Sequence, residues 1–130
     1  MLPFLRRGNG NIQLVGAINP KVIGDLRALQ SAGSPGFLAE LIDLFLREAG
    51  GHVAKLRESL ATKDARTFER SAHTLKGSCG NLGAQAMSRI CADLQTVGHE
   101  ANWARAAELL PTLEEEFKAV TRELEVEKTR

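Results

Sequence analysis

The chain has 130 residues, with 17 Lys and Arg against 16 Asp and Glu, three His, two Cys, one Trp and no Tyr. That is one domain's length, and 43% hydrophobic with 25% charged residues describes a folded soluble chain, not a disordered one. A formal net charge of +1 excludes a broad electrostatic pull toward nucleic acid or anionic membrane, and no apolar run nears the roughly 18 residues of a membrane span.

Residues 1–17 contain Gly8, Asn9, Gly10, Asn11 and Gly16 and read as a flexible tail or a linker from a larger chain. Their apolar patch precedes Arg6 and Arg7, the reverse of a secretory signal's order. The pattern after residue 18 is helical, with apolar residues at helical spacing and no alternation of strand length. Asn19-Pro20 predicts a helix start, with Asn as N-cap and Pro in the first turn. That helix is short, carries Val22, Ile23, Leu26 and Leu29, and stops near Gly33.

Ser34-Pro35 repeats the signal, and Leu38, Leu41, Ile42, Phe45, Ala49, Val53, Leu56 and Leu60 follow at i, i+3, i+4 spacing. Gly50-Gly51 falls in mid-pattern and predicts a bend or a split there. Asp64 is the N-cap expected for the next helix, which runs to about Leu82 and stops at Gly83. A fourth helix covers roughly 84–98, with Met87, Ile90, Cys91, Leu94 and Val97 on its apolar stripe and Gly98 as its stop. A fifth starts near Asn102 and carries Trp103, Leu109, Leu110, Leu113, Phe117, Val120 and Leu124. Pro111 should kink it, and its charged tail, residues 125–130, should fray.

Short connections force consecutive helices to be antiparallel. The expected class is therefore all-α: an antiparallel up-down-up-down four-helix bundle over residues 18–128, with a short extra N-terminal helix capping one end. Cys79 and Cys91 lie on apolar stripes and read as small core residues in a reduced, cytoplasmic compartment.

The chemistry concentrates in residues 71–83, SAHTLKGSCGNLG. Gly77 and Gly80 fall inside a predicted helix, where each Gly costs about 1 kcal/mol against Ala. On a helical wheel Phe68, Ala72, Leu75, Cys79 and Leu82 fall within about 80° and form the core stripe. His73, Lys76, Gly77 and Gly80 share a neighbouring arc of about 100°, leaving a bald patch around an imidazole with a cation one turn along. Imidazole offers a neutral nucleophilic nitrogen at cellular pH, and lysine at i+3 can neutralise a phosphoryl group carried on it. No acid, base or metal cluster accompanies His73 in sequence, so the catalytic machinery must come from a partner.

This stretch resembles the histidine-containing phosphotransfer (HPt) domain, whose motif is His-x-x-Lys-Gly followed by a Gly-rich turn into Leu-Gly. The resemblance extends over about residues 19–125: FLAELIDLFLRE at 37–48, LGA at 82–84, ICADLQ at 90–95 with Gly98, and ELLPTLEEEF at 108–117. The motif alone is weak, whereas the ordered set across four helices is specific. The resemblance is to the kind found at the C-terminus of bacterial hybrid sensor kinases. It implies a phosphorelay intermediate, a carrier and not an enzyme. His73 would be the phosphoacceptor, Lys76 would stabilise the phosphate, and Gly77 would be kept small for partner access. Gln95 matches a polar position facing the imidazole. The implied partners are receiver domains, in the same polypeptide or another, which supply Mg²⁺ and an acidic pocket. No cofactor, metal site, nucleic acid or membrane insertion is implied for this chain, whose location would be cytoplasmic, alone or attached to a membrane-bound kinase.

Plainer roles stand beside these. Lys76 is otherwise a solvated charge, Gly77 and Gly80 otherwise allow close helix packing, and Gln95 is otherwise plain surface. Arg66 and Arg70 are ordinary solvated charges or the rim of a partner site. His52 and His99 are expected to be exposed, and no pair among His52, His73 and His99 has zinc-ligand spacing. Two other functions fit the same pattern: a non-catalytic helical adaptor, and the phosphorylatable domain of a chemotaxis-type kinase.

Overall fold

Three side chains start three helices. Asn19 accepts from the Lys21 amide, Asp64 from Thr67 and Asn102 from Arg105, each satisfying a first-turn N–H that has no partner within its helix. The computed structural model describes the backbone of residues 4–8 and 11–130, and the side chains of residues 16–30 and 33–130. Five helices follow: α1 Pro20–Ala32, α2 Phe37–Thr62, α3 Ala65–Asn81, α4 Gln85–His99 and α5 Trp103–Lys128. Helices α2 to α5 form the bundle, with α3 packed on α2 and α4, and α5 packed on α4 and α2. The core is the set of stripes that the periodicity picks out, and Ile42, Leu56, Phe68, Leu75, Met87, Leu94, Leu113 and Leu124 are completely buried. Among the described residues no helix is long and apolar enough to cross a membrane.

The turn between α3 and α4 fixes α1. Gly83 has φ +81°, a left-handed conformation that Gly adopts without strain, and lets the Ala84 amide reach the Cys79 carbonyl at 2.8 Å. Its own carbonyl accepts from the Asn19 amide at 2.9 Å, and a Cβ at 83 would stand 2.9 Å from Val22 Cβ. The far end of α1 is held by Arg27, which donates to Glu127 Oε2 at 2.6 Å.

Several expectations change. Residues 1–17, read as a flexible tail or linker, contain an antiparallel hairpin: β1 (Phe4–Gly8) pairs with β2 (Asn11–Val15), with Phe4 opposite Val15 and Gly8 opposite Asn11. The sequence does carry the signal, since Asn-Gly between two short runs favours a tight hairpin; residues 1–3, 9 and 10 lie outside the described residues. The bundle also begins before residue 18. Ala17 and Ile18 are buried, and their amides donate to the Glu123 carboxylate of α5.

Gly50-Gly51 does not split α2, because a helix of 26 residues packed on both neighbours outweighs two local propensities. The same helix starts at Phe37, two residues beyond Pro35, with Gly36 as its N-cap. α4 continues past Gly98 to His99. α5 runs uninterrupted through the exposed Pro111. Its charged tail is helical to Lys128, whose ammonium meets Asp43 of α2 at 2.6 Å.

Candidate functional site

α3 presents two faces. Phe68, Ala72, Leu75 and Cys79 are wholly buried and Leu82 nearly so. His73, Gly77 and Gly80 are exposed, and Lys76 is half-buried. The arc read from the wheel is therefore the solvent face. Among the described residues, a Cβ built at Gly77 or at Gly80 meets nothing within 4 Å. Neither glycine serves helix packing, so that alternative falls for both.

The packing glycine is Gly98, which sequence reasoning read as a helix stop. It is buried in α4, and a Cβ there would lie 2.6 Å from Phe68 Cδ1 and 3.5 Å from the Glu69 amide nitrogen. Phe68 in turn meets Trp103 edge-to-face, with ring centroids 5.7 Å apart. This seam sets how closely α3 and α4 approach, and so how far α4 side chains reach toward His73.

Gln95 lines the surface around His73, and its hydrogen bond goes to Lys76 and not to the imidazole. Half-buried on α4, its Oε1 accepts from Lys76 Nζ at 3.1 Å. One level away, Ser88 Oγ donates to the Lys76 carbonyl at 3.0 Å. Lys76 is thereby tied to α4 at both its head and its backbone, which narrows the conformations its long side chain samples. The ammonium carries three donors, and Gln95 takes one.

Around the imidazole, Arg66, Glu69, Arg70, His73 and Gln95 line a shallow depression of about 370 Å³. Arg66, Arg70 and Gln95 are thus brought to His73 as residues of one surface, and Lys76 joins them through Gln95. Glu69 was not singled out by sequence reasoning. It precedes His73 by one turn, a spacing that the wheel already held, and its carboxylate pairs with His99 at 3.3 Å. His99 is exposed as expected, whereas His52 is half-buried and its Nδ1 is enclosed with no hydrogen-bond partner among the described residues. Burial, with Lys55 nearby, pushes the His52 imidazole below its ordinary pKa.

Cys79 and Cys91 are free, completely buried thiols that face each other across α3 and α4. Their mutual hydrogen bond and burial push the Cys79 thiol far up, which makes it a packing group and not a nucleophile. Among the described residues no group of three or more His, Cys, Asp or Glu is placed to hold a metal ion. The arrangement offers an exposed imidazole, an ammonium held by Gln95 from one turn further along α3, and two guanidinium groups on the rim. Those are the elements needed to accept, carry and release an anionic group.

Comparison with known proteins bears on that reading. The Hpt domain family matches residues 40–123. Histidine-containing phosphotransfer protein 2 of Arabidopsis thaliana is 27% identical over 104 residues, which cover 78% of this chain and 67% of that protein. The chain thus spans about two thirds of that relative's length. Among solved structures, histidine-containing phosphotransfer protein B of Pseudomonas aeruginosa superposes with a TM-score of 0.78 at 24% identity, covering 88% of this chain and 96% of its own. The maize histidine-containing phosphotransfer protein ZmHP2 superposes with a TM-score of 0.79 at 25% identity, covering 86% of this chain and 83% of its own.

Proposed function

The chain belongs to the Hpt domain family, and on that premise we propose that it is a phosphorelay intermediate whose phosphoacceptor is His73. A receiver domain's aspartyl-phosphate donates the phosphoryl group. The bond from phosphorus to the aspartate oxygen breaks, a bond from phosphorus to an imidazole nitrogen forms, and the transfer runs in the opposite sense to the next receiver's aspartate. This chain needs no cofactor for that exchange; the receiver contributes the acidic pocket and its Mg²⁺.

The observation that carries the proposal is the pairing of an exposed His73 with two helix-interior glycines that no packing requires. Each such glycine costs about 1 kcal/mol of helix stability. What they provide is room for another protein's active site to close on the ring. Lys76, steadied by Gln95, meets the phosphoryl oxygens with its remaining donors, while Arg66 and Arg70 rim the approach.

Incubation with a receiver charged with labelled phosphate tests the proposal. Label should pass to this chain, be lost in mild acid and survive base. His73→Gln should keep its helical content and take up none. Label that resists acid, or label persisting on His73→Gln, would remove His73 from this role.

A further inference from the structure

His73 sits between two ties that join α3 to α4. One turn to its C-terminal side, Lys76 Nζ donates to Gln95 Oε1 at 3.1 Å. One turn to its N-terminal side, both carboxylate oxygens of Glu69 lie within 3.4 Å of Nδ1 of His99, which follows Gln95 by one turn of α4. The first tie brings a cation to the imidazole. The second brings an anion, and holding a phosphate does not call for one.

Glu69 is placed to be felt at His73. Residues four apart on a helix stand about 5–6 Å from each other at their Cβ atoms. Of the side chains that line the depression, Glu69 alone is acidic, against the guanidinium groups of Arg66 and Arg70. Glu58 and Asp64 line the groove between α2 and α3, which Arg70 also borders, and not the depression. The Glu69 side chain is 37% exposed, so water screens its charge without removing it.

A phosphoryl group on His73 brings negative charge close to that carboxylate, and like charges at this spacing disfavour the phosphorylated form. The exchange trades a phosphorus–oxygen bond to aspartate for a phosphorus–nitrogen bond to His73. A repulsion felt only at His73 therefore moves the equilibrium back toward the receiver. His99 limits it, since the ring holds the carboxylate toward α4 and opposes its charge when protonated.

We propose that Glu69 weights the exchange toward release of the phosphoryl group from His73, and that His99 is the positioning residue that moderates it. The inference rests on the phosphorelay reading and adds a group that favours onward transfer.

The test is the equilibrium distribution of label between this chain and a receiver domain, at concentrations too low for the two to stay associated. Docking strength then does not enter the ratio. The probe is a receiver charged with labelled acetyl phosphate and freed of the reagent, the one in a panel that labels the unmodified chain fastest. In about 0.01 M salt, Glu69→Gln should raise the ratio of phosphorylated chain to phosphorylated receiver about threefold or more over the unmodified chain. The gain should shrink in about 1 M salt, where charges are screened within about 3 Å. His99→Ala should lower the ratio, and the double variant Glu69→Gln, His99→Ala should match Glu69→Gln. An unchanged ratio in either single variant, or a lowered one for Glu69→Gln, would overturn the proposal. So would a gain undiminished by salt, which would show that charge is not its cause. A loss from His99→Ala that persists in the double variant would also overturn it, by showing that His99 acts without Glu69. Failure of every receiver to label the unmodified chain would instead defeat the phosphorelay reading, and this inference with it.

Discussion

Two glycine-bearing regions of the α3–α4 hairpin use the same residue for opposite ends. On the solvent face of α3, Gly77 and Gly80 leave open space where side chains would stand. In the seam between the helices, Gly98 is filled by the Phe68 ring. Both sites cost helix propensity. At the seam the loss is offset inside the molecule, because close approach lets Phe68 and Trp103 pack. On the open face nothing among the described residues offsets it. The gap beside the exposed imidazole is the feature on which the proposed partner access rests.

The comparison breaks if the seam tolerates a side chain. Gly98→Ala should destabilise the bundle by about 1–3 kcal/mol, because the ring or the α3 backbone must give way to the methyl group. Thermal or urea unfolding reads it, and phosphate transfer well below the melting point should stay near normal. A neutral Gly98→Ala would erase the distinction between the two regions.

The mirror experiment is Gly77→Gln. The open helical position predicts a melting temperature that is unchanged or raised, by up to the roughly 0.4–1 kcal/mol gained when Gly is replaced in ordinary helix. Transfer from a charged receiver should nevertheless slow about tenfold or more. A destabilised variant with normal transfer would place position 77 with the seam.

Lys76 and Gln95 sharpen the picture at the edge of the open face. Lys76→Ala removes a charge-assisted contact worth about 1.5–3 kcal/mol, so a loss of roughly tenfold in transfer rate or in phosphohistidine lifetime is expected. Gln95→Ala frees the ammonium without removing it, and its loss should be the smaller of the two. Equal losses in stopped-flow transfer would mean that Gln95 does more than hold the lysine.

The smallest effect concerns His52, in the groove wall of α2. Burial first, and Lys55 second, lower its pKa in the folded chain below the unfolded value of about 6.5. The folded state then binds fewer protons, so His52 contributes stability that is present above pH ~6.5 and lost as pH falls through the lowered value. Melting temperature should decline as pH falls from 7 to 5. His52→Gln should flatten that segment of the profile. An unchanged slope would assign it to other groups; Asp64, held below its ordinary value by Thr67, keeps its charge across this window.

Most of the bundle was determined by the sequence on its own, because its signals are local. Asn19, Asp64 and Asn102 cap helices within three residues of themselves. A 3.6-residue period sorts Leu75 and Cys79 to the core and His73 to solvent without knowledge of any neighbour. What a wheel cannot hold is the partner across a gap. Tertiary structure decided that Gly98 is packed and Gly77 open, that Lys76 is held by Gln95 and Glu69 by His99, and that Glu123 draws Ala17 into the bundle. It also carried α2 through Gly50 and Gly51, where burial along 26 residues overrode two unfavourable local preferences. Propensity and period are properties of one helix, whereas the space beside a residue belongs to the helices that surround it.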